Sequence, residues 1–329
     1  MKKRFYLAAF AAMALVSCSE KNVEVQQIPV EDEVVELEVN VPIPLTRIAG
    51  VAQESDEKKV NDLQVFVFNS SGVLEAYGNE KASTLKLTCV PGEKSVVALV
   101  NAPSLSGIAT LAELQGAKSM LSANDAGNLV MASGVLEKTL VADGDNSMTI
   151  EVTRLAAKVV LASVKNEMAL EADRKKDFTI KAVYLTNVVG DRLYLSGSEP
   201  SVWYDKMGYE PDNTLSFLHD EPSYKLAYNT SYTSQHYFYC YPNSTETDAH
   251  AGSWSPRWTR LVVEAVLGTE KCYYPLSLPV VERNTEYVIN LTVTRLGSSN
   301  PDTPVSTGEA SFTVTVKDWE DGGERNEII

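Results

Sequence analysis

An all-β protein built from two tandem β-sandwiches follows from three features of this 329-residue sequence. Apolar residues recur at every second position in one run after another, the spacing of a half-buried strand. Turn residues such as Asn69-Ser70-Ser71-Gly72 and Pro91-Gly92 break those runs at short intervals. Helical spacing backed by a capping signal occurs once, so one short helix is expected, in the first sandwich. The length exceeds what a single sandwich needs, which argues for two.

The chain opens with Lys2, Lys3 and Arg4, followed by an apolar stretch from Tyr6 to Val16 that is too short to span a bilayer comfortably. It ends in Leu15-Val16-Ser17-Cys18. Charge, apolar stretch, small residue and cysteine fall in the order of a bacterial lipobox. Residues 1–17 therefore read as a lipoprotein signal peptide, with Cys18 carrying the lipid. Several acyl chains hold a protein at a membrane where one would be marginal. Ser19 to Val30 has no clear periodicity and reads as a polar tether.

Next comes the stretch on which the rest depends. Val35, Leu37, Val39, Val41 and Ile43 alternate with Glu36, Glu38, Asn40 and Pro42, so five apolar side chains share one face of a strand. Thr46-Arg47 closes it, and Ile48 to Lys59 is small, polar and acidic, as a loop should be. A strand that packs well and ends at a cleavable Arg47–Ile48 bond suits a chain that later accepts another strand. Residues 18–47 then form a tether plus removable strand. The plainer alternative keeps that strand permanently and leaves Arg47 as a surface arginine.

In the first sandwich, assigned to residues 48–157, strands are expected at Leu63 to Phe68, Ser83 to Val90 and Ser95 to Asn101. Thr110 and Glu113 form a capping box for a helix from Leu111 to about Ser122. Met148, Ile150 and Val152 alternate before Arg154-Leu155-Ala156-Ala157-Lys158, where the boundary is placed. The second sandwich, residues 158–329, begins with the strands Val159 to Val164 and Phe178 to Asn187. Ser201 to Arg260 is loop-rich and aromatic, with one strand inside Tyr232 to Tyr241. Further strands are expected at Arg260 to Leu267, Cys272 to Leu278 and Glu286 to Leu296. A last alternating run, Phe312, Val314 and Val316, leads to Trp319 and a charged tail.

Composition excludes more than it assigns. The net charge of −15 leaves no basic patch able to hold nucleic-acid phosphates, so nucleic acid is not an expected partner. His219, His236 and His250 lack metal-ligand spacing, and no CxxC, P-loop, GxGxxG or GxSxG occurs. No metal, cofactor or catalytic residue is expected. With Cys18 lipidated, Cys89, Cys240 and Cys272 remain, an odd number. Cys240 and Cys272 could pair in an oxidising compartment, or all three could be small buried hydrophobes. Trp203, Trp254 and Trp258 either fill the core and its corners or stack on sugars. The second option supports a rival function, a surface lipoprotein that binds glycans.

Several segments together resemble the fimbrillin family, the FimA-like and Mfa-like subunits of type V pili. They are the lipobox at Cys18, the strand ending at Arg47, Leu63 to Phe68, and Arg154-Leu155-Ala156-Ala157-Lys158-Val159. Glu282-Arg283-Asn284-Thr285-Glu286-Tyr287, Gly297-Ser298, Pro301, Pro304 and Lys317-Asp318-Trp319 complete the series. The resemblance implies transthyretin-like sandwiches and a structural rather than enzymatic role. It implies a precursor lipid-anchored at the outer membrane and cut after Arg47 by an arginine-specific protease. A neighbouring subunit's strand would fill the vacated groove, building an extracellular adhesive pilus from like or unlike subunits. The donor would be the segment from about Ala310 onward, through Phe312, Val314 and Val316.

Overall fold

The computed structural model describes residues 34–42, 56–197, 199–206, 218–248, 254–319 and 324–328. Cys18, Ile43, Arg47 and Ile48 lie outside the described residues. The described chain is all-β, with two main sheets in each half, two further two-stranded pairings and only short helices.

In the N-terminal half a three-stranded sheet faces a six-stranded one. The small sheet runs Thr84–Cys89, Val35–Asn40, Ser147–Thr149. The larger runs Thr153–Arg154, Met131–Ala132, Gly92–Val100, Leu63–Asn69, Leu74–Glu80, with Leu136–Leu140 beside Gly92–Val100. Thr84–Cys89 alternates exposed and buried residues because only one of its faces meets a core. Leu63–Asn69 is buried at six consecutive positions. Leu63, Val65 and Val67 face the small sheet. Phe66 and Phe68 join a second core that continues through the C-terminal half. Leu74–Glu80, which the sequence reading missed, is half-buried and carries Gly78. A Cβ there would come within 2.7 Å of Leu85, so the bare backbone permits the close approach.

The capping box at Thr110 and Glu113 forms as expected, but the helix stops at Gly116. Lys118–Met120 instead pairs antiparallel with Asp191–Leu193, because that ladder satisfies backbone groups a longer helix would have used internally. A four-residue helix at Glu171–Arg174, within the polar run before Phe178, adds a second short helix to the one expected.

The C-terminal half opens with Ala157–Asn166, which runs parallel to Thr285–Val293. The latter pairs antiparallel along its whole length with Ala310–Asp318, which in turn pairs with Glu324–Ile328. The facing sheet is built on Phe178–Thr186, Thr259–Leu267 and Glu270–Leu278. Gly297 of the Gly297-Ser298 motif sits where a Cβ would collide with the Tyr273 carbonyl oxygen, letting Ser298 exchange backbone hydrogen bonds with Tyr273.

Candidate assembly site

The first strand, Val35–Asn40, is the middle of its sheet rather than an edge. It runs antiparallel to Thr84–Cys89, with Val35 opposite Cys89 and Asn40 opposite Thr84, and parallel to Ser147–Thr149. Beyond its end, the Val41 N–H donates to the Ser83 carbonyl at 2.8 Å and the Ile150 N–H donates to the Asn40 carbonyl at 2.9 Å. Val35, Leu37, Val39 and Val41 all point inward, at 8%, 0%, 0% and 1% exposure, onto Leu63, Val65, Leu85, Val96 and Ile150. At about 1.5–3 kcal/mol per buried side chain, these four supply about 6–12 kcal/mol, an upper figure for an extended reference chain. That matches the whole net stability of an ordinary domain. Removing the strand would part its sheet into two edges and open the core, and only another strand could satisfy both ladders.

Downstream, the chain re-enters the core at Glu57, and here residues far apart in sequence converge. The Glu57 carboxylate is 2% exposed. It accepts hydrogen bonds from Tyr239 Oη at 2.6 Å and Trp319 Nε1 at 3.2 Å, and it pairs with Lys158 Nζ at 2.8 Å. Arg154, fully buried, donates to the Glu57 carbonyl at 3.2 Å and lies 4.7 Å over the Trp319 ring. Trp319 stacks on Tyr239, and its N–H donates to the Asn284 carbonyl. Burial, then the Glu57 charge, drives the Tyr239 phenol far above its ordinary pKa. Arg154, Lys158, Asn284 and Trp319 all belong to motifs singled out in the sequence. Glu57 does not, since a lone glutamate in an acidic loop carries no pattern. The signal was indirect: two cations in one motif, once buried, require an anion.

Phe312, Val314 and Val316, read from sequence as the donor face, occupy Ala310–Asp318. There they face Leu291, Ile289 and Tyr287 of the neighbouring strand. Phe312 and Val314 are buried in the core of their own half, and Val316 is partly buried against it. The Glu324–Ile328 strand, by contrast, is held by a single ladder at the edge of its sheet. The first strand and the Phe312 stretch thus belong to different cores.

Of the two alternatives left open for the cysteines, the structure has the second: Cys240, Cys272 and Cys89 are all buried free thiols. Cys240 sits opposite Ala157 in one sheet and Cys272 opposite Ala265 in the facing sheet. Trp203 is 7% exposed and packs edge-on against Trp254 at 5.2 Å. The half-buried Trp258 indole donates to the Thr245 carbonyl. These rings fix loops onto the sandwich. His236 bridges Tyr232 at 2.9 Å and Asp220 at 2.7 Å. Among the described residues no group of three His, Cys, Asp or Glu side chains could hold a metal ion.

Comparison with known proteins bears on this arrangement. A family model described as major fimbrial subunit protein (FimA) matches residues 35–177, from the first strand to the start of the second sandwich. The major fimbrium subunit FimA type-2 of Porphyromonas gingivalis is 23% identical, over 97% of this chain and 97% of that relative. Over nearly its whole length the chain is thus similar to FimA-type fimbrial subunits. Solved folds agree with this architecture. A cell adhesion protein from Parabacteroides distasonis, described as putative in its own name, superposes with a TM-score of 0.64 at 20% identity. It covers 89% of this chain and 99% of its own. The fimbrilin (FimA) of P. gingivalis superposes with a TM-score of 0.63 at 16% identity, covering 88% and 98%.

Proposed function

We propose that this chain is a fimbrillin, exported as a lipoprotein through Cys18, held at the outer membrane, and matured by cleavage at Arg47–Ile48 by an arginine-specific protease. It then polymerises by strand exchange into an adhesive extracellular pilus, as a structural subunit rather than an enzyme. The observation that carries this reading is the central place of the first strand. A plug at an edge could leave and the sheet would survive; one between two ladders demands a successor. Retaining it until assembly also hides two aggregation-prone edges. Because the contact joins unlike surfaces of successive subunits, it extends rather than closes.

The donor in this proposal is the chain from Ala310 onward. Its outermost part, Glu324–Ile328, detaches at the cost of one ladder, whereas withdrawing Phe312 and Val314 would open the second core. Exchange therefore begins with the tail. In this scheme residues 48–157 form the accepting domain and residues 158–329 the donating one.

Limited trypsin digestion of the folded precursor tests the scheme. The expected result is one early cut, after Arg47, followed by oligomers, with Arg47→Ala blocking both. Deleting residues 320–329 should leave a folded monomer that cannot donate. Assembled material that still contains residues 34–42 in their original seat would overturn the proposal.

A further inference from the structure

Away from the strand-exchange machinery, and independent of it, a cavity of about 720 Å³ opens beside Asp191–Leu193. Trp203, Val189, Pro242, Pro256 and Val281 give it apolar walls, and Arg192 and Arg283 line it as well. Arg192 is 9% exposed. Its Nε donates to the Leu193 carbonyl at 3.2 Å and its Nη1 to the Leu155 carbonyl at 3.1 Å. Its Nη2 has no partner, and no carboxylate pairs with it, among the described residues. Neighbouring Asp191 is already engaged by Lys118, Ser201 and the Val202 N–H.

A guanidinium buried without a counter-ion is costly, and a second arginine nearby makes it costlier. Burial, then the like charge of Arg283, pulls Arg192 down to about 10, so it stays protonated at neutral pH. Such a group is stabilised by an anion of matching planar geometry. Glu199 and Glu282 line the same cavity and are exposed. Their charges oppose entry of a polyanion but tolerate a single negative charge.

We propose that this cavity binds a small monocarboxylate, its carboxylate on Arg192 and its uncharged body against Trp203 and the neighbouring proline and valine side chains. Two sources share that chemistry: a uronic-acid sugar and the free C-terminus of a peptide. Titration calorimetry on the full chain distinguishes them with four probes: glucuronate against glucose, and N-acetyl-dialanine against its amide. At least one carboxylate should bind, and its neutral counterpart should bind at least about tenfold more weakly, equivalent to about 1.4 kcal/mol. Arg192→Lys keeps the charge but loses the planar fork, and should weaken binding by at least about tenfold.

Because Arg192 also ties down Leu155, a second variant leaves it untouched. Gly197 lines the cavity, and a Cβ there meets no atom within 4 Å. Gly197→Trp should fill the space and abolish binding with the thermal midpoint unchanged. If neither carboxylate binds the parent protein, if neutral probes bind equally, or if binding survives Gly197→Trp, the proposal is overturned.

Discussion

Excision of the first strand is expected to switch on a single thiol. Cys89 lies directly opposite Val35 and is 2% exposed in the core that the first strand closes. Burial, then the charge of Glu75, raises its pKa to about 11 from the ordinary 9.0, with Lys94 opposing. When the strand leaves, water reaches the site and the pKa falls back towards 9. Well below both values, thiolate content changes tenfold per pH unit. Reaction with a maleimide should therefore accelerate about 100-fold, before any gain from steric access is counted. The assay is labelling of a Cys18→Ser precursor followed by peptide mass spectrometry, before and after cleavage at Arg47. Cys240 and Cys272 lie in the other core and serve as internal controls. Burial pushes Cys240 up to about 12 and raises Cys272 as well. Assembly should return Cys89 to its slow rate. Unchanged Cys89 labelling after the strand has demonstrably left would refute the reasoning. Equal acceleration at all three thiols would show that cleavage unfolds the chain instead of opening one groove.

Two further outcomes follow from buried charges. Glu57→Ala leaves Lys158 with the Glu286 carboxylate alone and takes the acceptor from the buried Tyr239 hydroxyl and Trp319 indole, and should cost about 3–5 kcal/mol in urea unfolding. Adding Lys158→Met should recover part of that loss, and a cost below about 1 kcal/mol would show that Glu57 is dispensable. At Asp191 burial acts to raise the pKa. The Lys118 ammonium, the Ser201 hydroxyl and two backbone N–H groups outweigh it and hold the carboxyl at about 2, against 3.8 for an ordinary aspartate. Its contribution, about 2 kcal/mol, is complete above about pH 4 and disappears as pH falls through 2. Asp191→Asn should flatten that acid limb in a series of thermal midpoints, and an unaltered limb would count against it.

Where a strand has one wet face, its alternation was readable from sequence. Val35 to Val41 emerged with its inward residues, and the strands expected at Ser83 to Val90 and Glu286 to Leu296 overlap Thr84–Cys89 and Thr285–Val293. Leu74–Glu80 escaped because none of its residues is fully buried, Tyr77, Asn79 and Glu80 are exposed, and a glycine stands where an apolar residue would have marked it. The helix was overextended because its apolar spacing continues into Lys118–Met120, and nothing local reveals that Asp191–Leu193, far along the chain, claims that segment. The same limit governs the sites. The inward face of the first strand is a local pattern. The Glu57 cluster and the Arg192 cavity bring together side chains separated by up to 262 positions, and no local pattern encodes such a meeting. The Phe312 stretch shows the converse: its alternation was read correctly, yet alternation is silent about which core a strand serves.

The seat of the first strand has two unlike walls, one antiparallel to it and one parallel. An incoming segment laid in the original direction meets every carbonyl and amide where its predecessor did. Reversed, it would face slanted bonds on one wall and mismatched spacing on the other. Under strand exchange each junction therefore accepts one orientation. The fibre acquires a head and a foot, and its growing tip is chemically unlike its base.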